Sequence, residues 1–213
     1  MTKPYNTEYG SKFQRISEVT IGHYNRSARS FRDGTRDHDV SQNYRALLDA
    51  IEAKPPFLIL DFGCGPGRDL VHFCALGHKA VGLDGAKKFV DMARLESGCE
   101  VLHQDFMTTN LPQSHFDGIF ANASLFHVPG QVLPRVLFEL SETLKPGGVL
   151  FCSNPRGDNQ EGFSGGRYSC FFNLKTWRNL VTAAGFVELS HYFRPAGQPR
   201  HKQPWLATVW RKS

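Results

Sequence analysis

The residues best placed to do chemistry are three aspartates, each standing where a short apolar run ends. The first, Asp61, opens a glycine-rich turn that reads Asp61-Phe62-Gly63-Cys64-Gly65-Pro66-Gly67-Arg68-Asp69. Gly63 and Gly65 permit a tight turn and let a ligand approach the backbone without a Cβ in the way. Dinucleotide-binding folds share such a loop with the spacing GxGxxG, whereas Gly63, Gly65 and Gly67 give GxGxG. A pyrophosphate wants free backbone N–H groups at a helix N-terminus and no carboxylate beside them. An acid just ahead of the first glycine instead suits a cation, directly or through water. The ammonium of a methionyl group is such a cation, so the loop fits S-adenosylmethionine (SAM) better than a nicotinamide dinucleotide.

Asp84 and Asp105 extend the pattern. Asp84 closes the run Lys79-Ala80-Val81-Gly82-Leu83, where a carboxylate can accept both hydroxyls of a ribose and would repel a 2′-phosphate. Asp105-Phe106 follows Glu100-Val101-Leu102-His103. Asp105 can accept from an adenine amine, and Phe106 can flank the ring. Each aspartate alone also reads as a helix cap or turn residue. Three of them at the ends of successive strands are hard to explain that way together.

These residues need a scaffold that brings strand ends side by side. Phe57-Leu58-Ile59-Leu60 is a continuous apolar run, as expected of a strand buried on both faces. A helical pattern follows at Leu70, Val71, Phe73, Cys74 and Leu76, closed by Gly77. Strand 79–83, helix 86–96, strand 100–103, strand 116–121, helix 132–144 and strand 149–152 continue the alternation. Lys145-Pro146-Gly147-Gly148 stops the last of these helices. Then come a helix from Leu174 to Ala184 and two strands, 186–193 and 205–210, with no helix between them. The expected fold is α/β: a Rossmann-like, doubly wound, seven-stranded sheet, mostly parallel, ending in an antiparallel hairpin. The stretch through Thr20 is polar and turn-rich and reads as a surface extension, 1–22, ahead of one domain, 23–213. Two helical patterns from about 23 to 54, broken near Asp33-Gly34, form a helical lid on that domain.

The totals agree with one such domain. The chain has 213 residues, 40% hydrophobic and 21% charged, with a net charge of +5 and a pI near 9.0. The basic residues are scattered, which suits a solvated surface and an anionic small substrate better than nucleic acid. The five cysteines form no CxxC pair and no apolar signal segment opens the chain, so reduced thiols in the cytoplasm are expected. No run approaches the ~20 apolar residues of a membrane helix. Nine histidines occur without HExxH or HxH pairing, so no metal is expected.

The segments Leu60–Gly67, Gly82-Leu83-Asp84, Gln104-Asp105-Phe106, Phe116-Asp117-Gly118-Ile119 and Leu144-Lys145-Pro146-Gly147-Gly148 together resemble the class I SAM-dependent methyltransferases in order and spacing. The resemblance runs from about Tyr24 to the C-terminus. It implies a cofactor set of Tyr24, Asp61, Gly63, Cys64, Gly65, Asp84, Gly85, Asp105, Phe106, Asn122 and Ala123, with Tyr24 capping the cofactor from the N-terminal helix. Asn122, Ala123, Leu125 and His127, after the fourth strand, would face the methionine or the acceptor. More narrowly, the segment 31–43, Asn154-Pro155-Arg156-Gly157 and Tyr192-Phe193-Arg194-Pro195-Ala196-Gly197 resemble the methyltransferase of ovothiol biosynthesis. That family methylates the π ring nitrogen of 5-thiohistidine to give ovothiol A, and often follows an iron-dependent sulfoxide synthase in one chain.

An imidazole already has one ring nitrogen with a free lone pair, so no general base is needed if the site selects the tautomer. His127, Asn122 and Tyr168 could each hydrogen-bond the ring and make that choice, and His127 also reads as a packing residue. An amino-acid acceptor brings a carboxylate, which suits arginine geometry; Arg156, Arg167 and Arg194 are the candidates, and each also reads as a surface residue. Asn154 and Asn173 could meet the ammonium or the ring. The polar stretch 31–43 serves as a lid, as a helix start capped by Asp37 or Asp39, or as both.

Three other readings compete. A different small acceptor on the same fold is the nearest. A nucleic-acid base methyltransferase would carry (Asn/Asp)-Pro-Pro-aromatic after the fourth strand, where this chain has Asn122-Ala123-Ser124-Leu125. A SAM-binding scaffold subunit would have an eroded glycine loop or lack the second acid, and both are intact.

Overall fold

The computed structural model describes residues 7–213. Among the described residues, nine strands and six α-helices follow in chain order. Helices α1 (Thr7–Thr35) and α2 (Ser41–Leu48) precede β1 (Leu58–Phe62), α3 (Arg68–Ala75), β2 (Lys79–Asp84), α4 (Lys87–Ser97) and β3 (Glu100–His103). Then come β4 (Phe116–Asn122), α5 (Leu133–Thr143), β5 (Leu144–Pro155), β6 (Gln160–Ser164) and β7 (Arg167–Phe171). Helix α6 (Leu174–Ala183), β8 (Phe186–Arg194) and β9 (Trp205–Lys212) complete the chain.

Seven strands form one sheet in the order β3-β2-β1-β4-β5-β9-β8. Strands β1 to β5 pair in parallel, and β9 runs antiparallel to both neighbours, β5 and β8. The terminal hairpin therefore enters the sheet with its second strand inward. Burial explains the choice: β9 offers Leu206, Ala207, Val209 and Trp210, all buried, whereas Val187 and Leu189 of β8 remain exposed at the edge. Successive residues of each strand serve opposite faces. Leu60, Phe62, Ile119 and Leu150 pack under α5 and α6; Ile59, Phe120, Phe151 and Val209 pack under α2, α3 and α4.

Two elements differ from the sequence expectation. The first is α1, which runs unbroken across the expected boundary at Gly22/His23 over 29 residues, about 43 Å. Its inward stripe is Ile16, Ser17, Thr20, Ile21, Tyr24, Ala28 and Phe31, at helical spacing but with the hydroxyl residues Ser17 and Thr20 at two of the seven places. Ser17 donates to Asp105, and Thr20 Oγ accepts from Tyr168 N–H at 3.1 Å. The helix is thus held by hydrogen bonds across the strand ends as much as by apolar burial. The second is the separate β6–β7 hairpin, turned by Gly165-Gly166 with both φ angles positive, at 58° and 80°. Such a two-residue turn matches the twist of its flanking strands. No helix among the described residues is long and apolar enough to cross a membrane.

Candidate active site

The carboxyl ends of β1, β2 and β4 open into a cavity of about 750 Å³, roofed by α1 and by residues 36–40. Ligand cavities span roughly 300–1,000 Å³, so a nucleoside cofactor and a small acceptor both fit. Of the expected cofactor residues, Tyr24, Gly63, Cys64, Gly65, Asp84, Gly85, Asp105, Phe106, Asn122 and Ala123 all line it.

The glycine loop is shaped by two contacts. Gly63 has φ +87°, and a Cβ there would lie 2.4 Å from the Ser124 Cβ. Gly65 has φ +51°, but its Cβ would point into open cavity, with Phe31 Cε1 the nearest atom at 3.8 Å. The two glycines therefore protect different things. Gly63→Ala is expected to lower Tm by roughly 4–10 °C, from overpacking and a left-handed backbone. Gly65→Ala should cost less stability but raise the SAM Kd about tenfold or more, because the added methyl occupies ligand space. Thermal melting and titration calorimetry on both variants separate these outcomes.

Asp84 is buried, and its two oxygens accept from Gly65 N–H at 3.0 Å and Ala86 N–H at 2.8 Å. Each oxygen keeps a lone pair for a ribose hydroxyl. Burial pushes its pKa up to about 6, with the Ala86 and Gly65 N–H groups pulling the other way. Asp105 accepts from Met107 N–H at 2.9 Å as well as from Ser17, so its turn role and its place in the cavity wall coexist. Phe106 stacks on Phe62 with centroids 4.5 Å apart, which fixes its ring at the cavity edge.

Asp61 departs from expectation. It lies beneath the loop, is not part of the cavity wall, and its Oδ2 has no partner. Burial, then the Asp69 carboxylate, hold its pKa well above the ordinary carboxylate range. Burial thus works against the charge that a direct ammonium contact calls for, and Asp61 would act through the loop above it. Leu125 is wholly buried in the core and does not face the cavity. Ser124 and Ser153, which no sequence motif singles out, line the cavity with buried hydroxyls that have no partner. Orphaned hydroxyls facing a cavity are what a bound polar ligand satisfies. Ser124 lies within the run after β4, so its position was the available signal. Nothing in the sequence marks Ser153.

Across the cavity stands a chain of hydrogen bonds. His127 Nδ1 lies 2.6 Å from the Tyr168 carbonyl oxygen, and its Nε2 lies 2.7 Å from the Tyr24 hydroxyl. Burial lowers the His127 pKa to about 4, so the ring is neutral near pH 7. A carbonyl only accepts, so Nδ1 carries the proton and Nε2 must accept from Tyr24 O–H. Burial raises the Tyr24 pKa to about 12, which keeps its proton in place. Tyr168 thus acts through its backbone: its hydroxyl is engaged with Glu161, away from the cavity, not with a ligand ring.

The arginines separate clearly. Arg167 and Arg194 line the cavity. Arg167 sits over the Tyr24 ring, 5.9 Å from its centroid, and approaches His23 Nε2 at 3.5 Å. Arg194 donates to the Asp39 carbonyl at 2.8 Å. Arg156 instead donates to the Gln203 carbonyl at 2.7 Å and the Arg200 carbonyl at 2.5 Å, a loop clamp outside the cavity. Asn173 caps α6 by accepting from Thr176 N–H at 2.9 Å, and Asn154 faces a small separate void beside Trp177. Asn122 Oδ1 accepts from Asn43, leaving its own amide N–H groups for the cavity. In the 31–43 stretch, Phe31, Arg32, Thr35, Arg36, His38 and Asp39 line the cavity, and Asp39 also accepts from Ser41 N–H at 2.9 Å at the start of α2. Among the described residues no group of three or more His, Cys, Asp or Glu could hold a metal ion.

A family model described as a methyltransferase domain matches residues 59–148. The chain is 32% identical over 147 residues to 24-methylenesterol C-methyltransferase 2 of Oryza sativa subsp. japonica, covering 62% of this chain and 39% of that protein. It is 30% identical over 137 residues to malonyl-[acyl-carrier protein] O-methyltransferase of Xylella fastidiosa, covering 61% and 46%. The chain thus spans less than half the length of these curated relatives. The crystal structure of Burkholderia thailandensis 1,6-didemethyltoxoflavin-N1-methyltransferase, with its acceptor and S-adenosylhomocysteine bound, superimposes with TM-score 0.75 at 22% identity, covering 100% of this chain and 93% of that one.

Proposed function

We propose that this chain, built on the fold of class I SAM-dependent methyltransferases, methylates the π ring nitrogen of 5-thiohistidine to give ovothiol A. Its seven-stranded sheet is that fold, residues 59–148 are a methyltransferase domain, and its cofactor is SAM. The three relatives are named for C-, O- and N-methyl transfer, so kinship leaves the acceptor open. The neighbour named for a ring-nitrogen product is in keeping with nitrogen.

The observation that carries the acceptor reading is the polarity of the Tyr168–His127–Tyr24 chain. Tyr24 spends its only proton on His127, so its oxygen can show the cavity nothing but lone pairs. It therefore asks the acceptor for a donor. A neutral imidazole has one N–H and one bare nitrogen, and an N–H held by Tyr24 leaves the other nitrogen free to attack. Bound SAM supplies an electrophilic methyl on a sulfonium. The chain's residues align the nucleophile, exclude water and fix the tautomer. His127, with a pKa near 4, is too weak a base to take the proton and serves to hold Tyr24.

Arg167 and Arg194 keep guanidinium N–H groups for an amino-acid carboxylate. Arg167→Ala and Arg194→Ala should each raise the acceptor KM about tenfold or more with the SAM Kd little changed. Arg156→Ala should leave KM alone and lower Tm. Equal loss of both affinities in the first two variants would assign them to folding instead. In this reading the chain works beside, or fused to, an iron-dependent sulfoxide synthase.

The deciding assay incubates the protein with SAM and reduced 5-thiohistidine, with histidine as control, and reads mass. One added methyl on thiohistidine, and none on histidine, supports the proposal. No product, with SAM still bound, would remove this acceptor and keep the fold.

A further inference from the structure

Two thiols that take no part in methyl transfer face each other at the far ends of the helices that follow the cofactor loops. Cys74 lies in the last turn of α3, and Cys99 directly follows Gly98, the left-handed residue that ends α4. Their Sγ atoms are 3.1 Å apart; Cys74 is exposed and Cys99 half-buried. The turn that presents Cys99 is fixed by Ser97, whose Oγ donates to the Ala93 carbonyl at 2.6 Å and accepts from Cys99 N–H at 3.1 Å. At the other end of the same helix pair, Gly67 packs so closely on α4 that a Cβ would lie 2.8 Å from Ala93 Cα. The two helices are therefore pinned together, and a disulfide of ~2.05 Å needs only a small approach of the sulfurs.

We propose that Cys74 and Cys99 are a reversible modification site, a dithiol that exchanges with a low-molecular-weight disulfide and closes into a staple between α3 and the α4–β3 turn. The exposed Cys74, as thiolate, attacks one sulfur of the small disulfide and expels a small thiolate. Cys99, as thiolate, then attacks the Cys74 sulfur of the mixed disulfide and expels the second small thiolate. The two protons lost by the cysteines end on the two small thiols, so the protein loses two hydrogens and the reagent gains them. Burial, then the neighbouring Cys99 thiol, push the Cys74 pKa up to about 11. Little thiolate is present at neutral pH, and uncatalysed closure takes minutes to hours. The stapled segment contains β2 and α4, and so carries Asp84, Ala86 and Phe89 of the cavity wall.

The test incubates the full chain with excess oxidised glutathione, blocks free thiols, and measures intact mass, the linked peptides and Tm. The expected result is a loss of two hydrogens, a Cys74–Cys99 peptide, and a Tm rise of about 5 °C or more that dithiothreitol reverses. Cys74→Ser and Cys99→Ser should each abolish the rise, and Cys99→Ser should retain one glutathione on Cys74. A stable glutathione adduct on the wild-type pair, a covalent dimer, or closure without a Tm change would each overturn the proposal.

Discussion

Asp84→Ala raises the SAM dissociation constant by about 100-fold or more and leaves the circular-dichroism spectrum of the protein unchanged. Hydrogen bonds to a charged group are worth roughly 1.5–3 kcal/mol each, and a ribose diol makes two. The same carboxylate accepts from Gly65 N–H and Ala86 N–H, so its loss also relaxes the loop around the cofactor. Asp84→Asn, which keeps one acceptor oxygen, should fall between. The pH dependence sharpens the test. Burial lifts the Asp84 pKa from 3.8 to about 6, so the ligand-free site is increasingly protonated below pH 6. A diol binds the carboxylate better than the acid, which means that binding must expel that proton. The affinity of the wild-type protein should be level above about pH 7 and fall about tenfold per unit below about pH 6. Asp84→Asn should lose that slope. An unchanged affinity by calorimetry in Asp84→Ala would remove Asp84 from the cofactor site.

Strand ends and the glycine loop were legible because their physics is local. An apolar run followed by an acid and glycine can be read without knowing its neighbours, as at β1 and β2. Helix α1 was hidden because Ser17 and Thr20 bury themselves by hydrogen-bonding Asp105 and the Tyr168 backbone, which lie 88 and 148 residues away. A periodicity search cannot see a stripe whose polar members are satisfied by distant partners. The β6–β7 hairpin did have a local signal in Gly165-Gly166, weakened by strands of only five residues each. The acceptor candidates divided by what else lay near them. Arg156 and Asn173 have the right chemistry for a carboxylate or ammonium, but Arg156 meets loop carbonyls and Asn173 a helix start. Arg167 and Arg194 differ from them only in where their strands deliver them. Asp61 carries the right charge in sequence, but the fold buries it beneath the loop, where desolvation disfavours that charge.

Tyr24→Phe should lower kcat/KM for the acceptor by about 10–100-fold, with most of the loss in turnover and a smaller change in SAM affinity. The hydroxyl has two duties. In the proposed reading it receives the acceptor's N–H, and it satisfies His127 Nε2, which would otherwise be a buried, unpaired acceptor costing roughly 1–3 kcal/mol. His127→Ala removes the partner that orients that hydroxyl. Tyr24 could then turn its own proton toward the acceptor and bind the wrong ring nitrogen. The expected result is therefore a fall in rate together with a loss of regiospecificity, with τ-methyl product appearing beside π. A His127 acting as general base would give a different signature: a full loss of rate, no change in regiochemistry, and an acid limb in the pH–rate profile that vanishes in the variant. Because burial holds His127 near pKa 4, the rate of the wild-type enzyme at saturating SAM should show no His127 inflection between pH 5 and 8. Product analysis by magnetic resonance on the two variants decides between a residue that moves the proton and a pair that holds it.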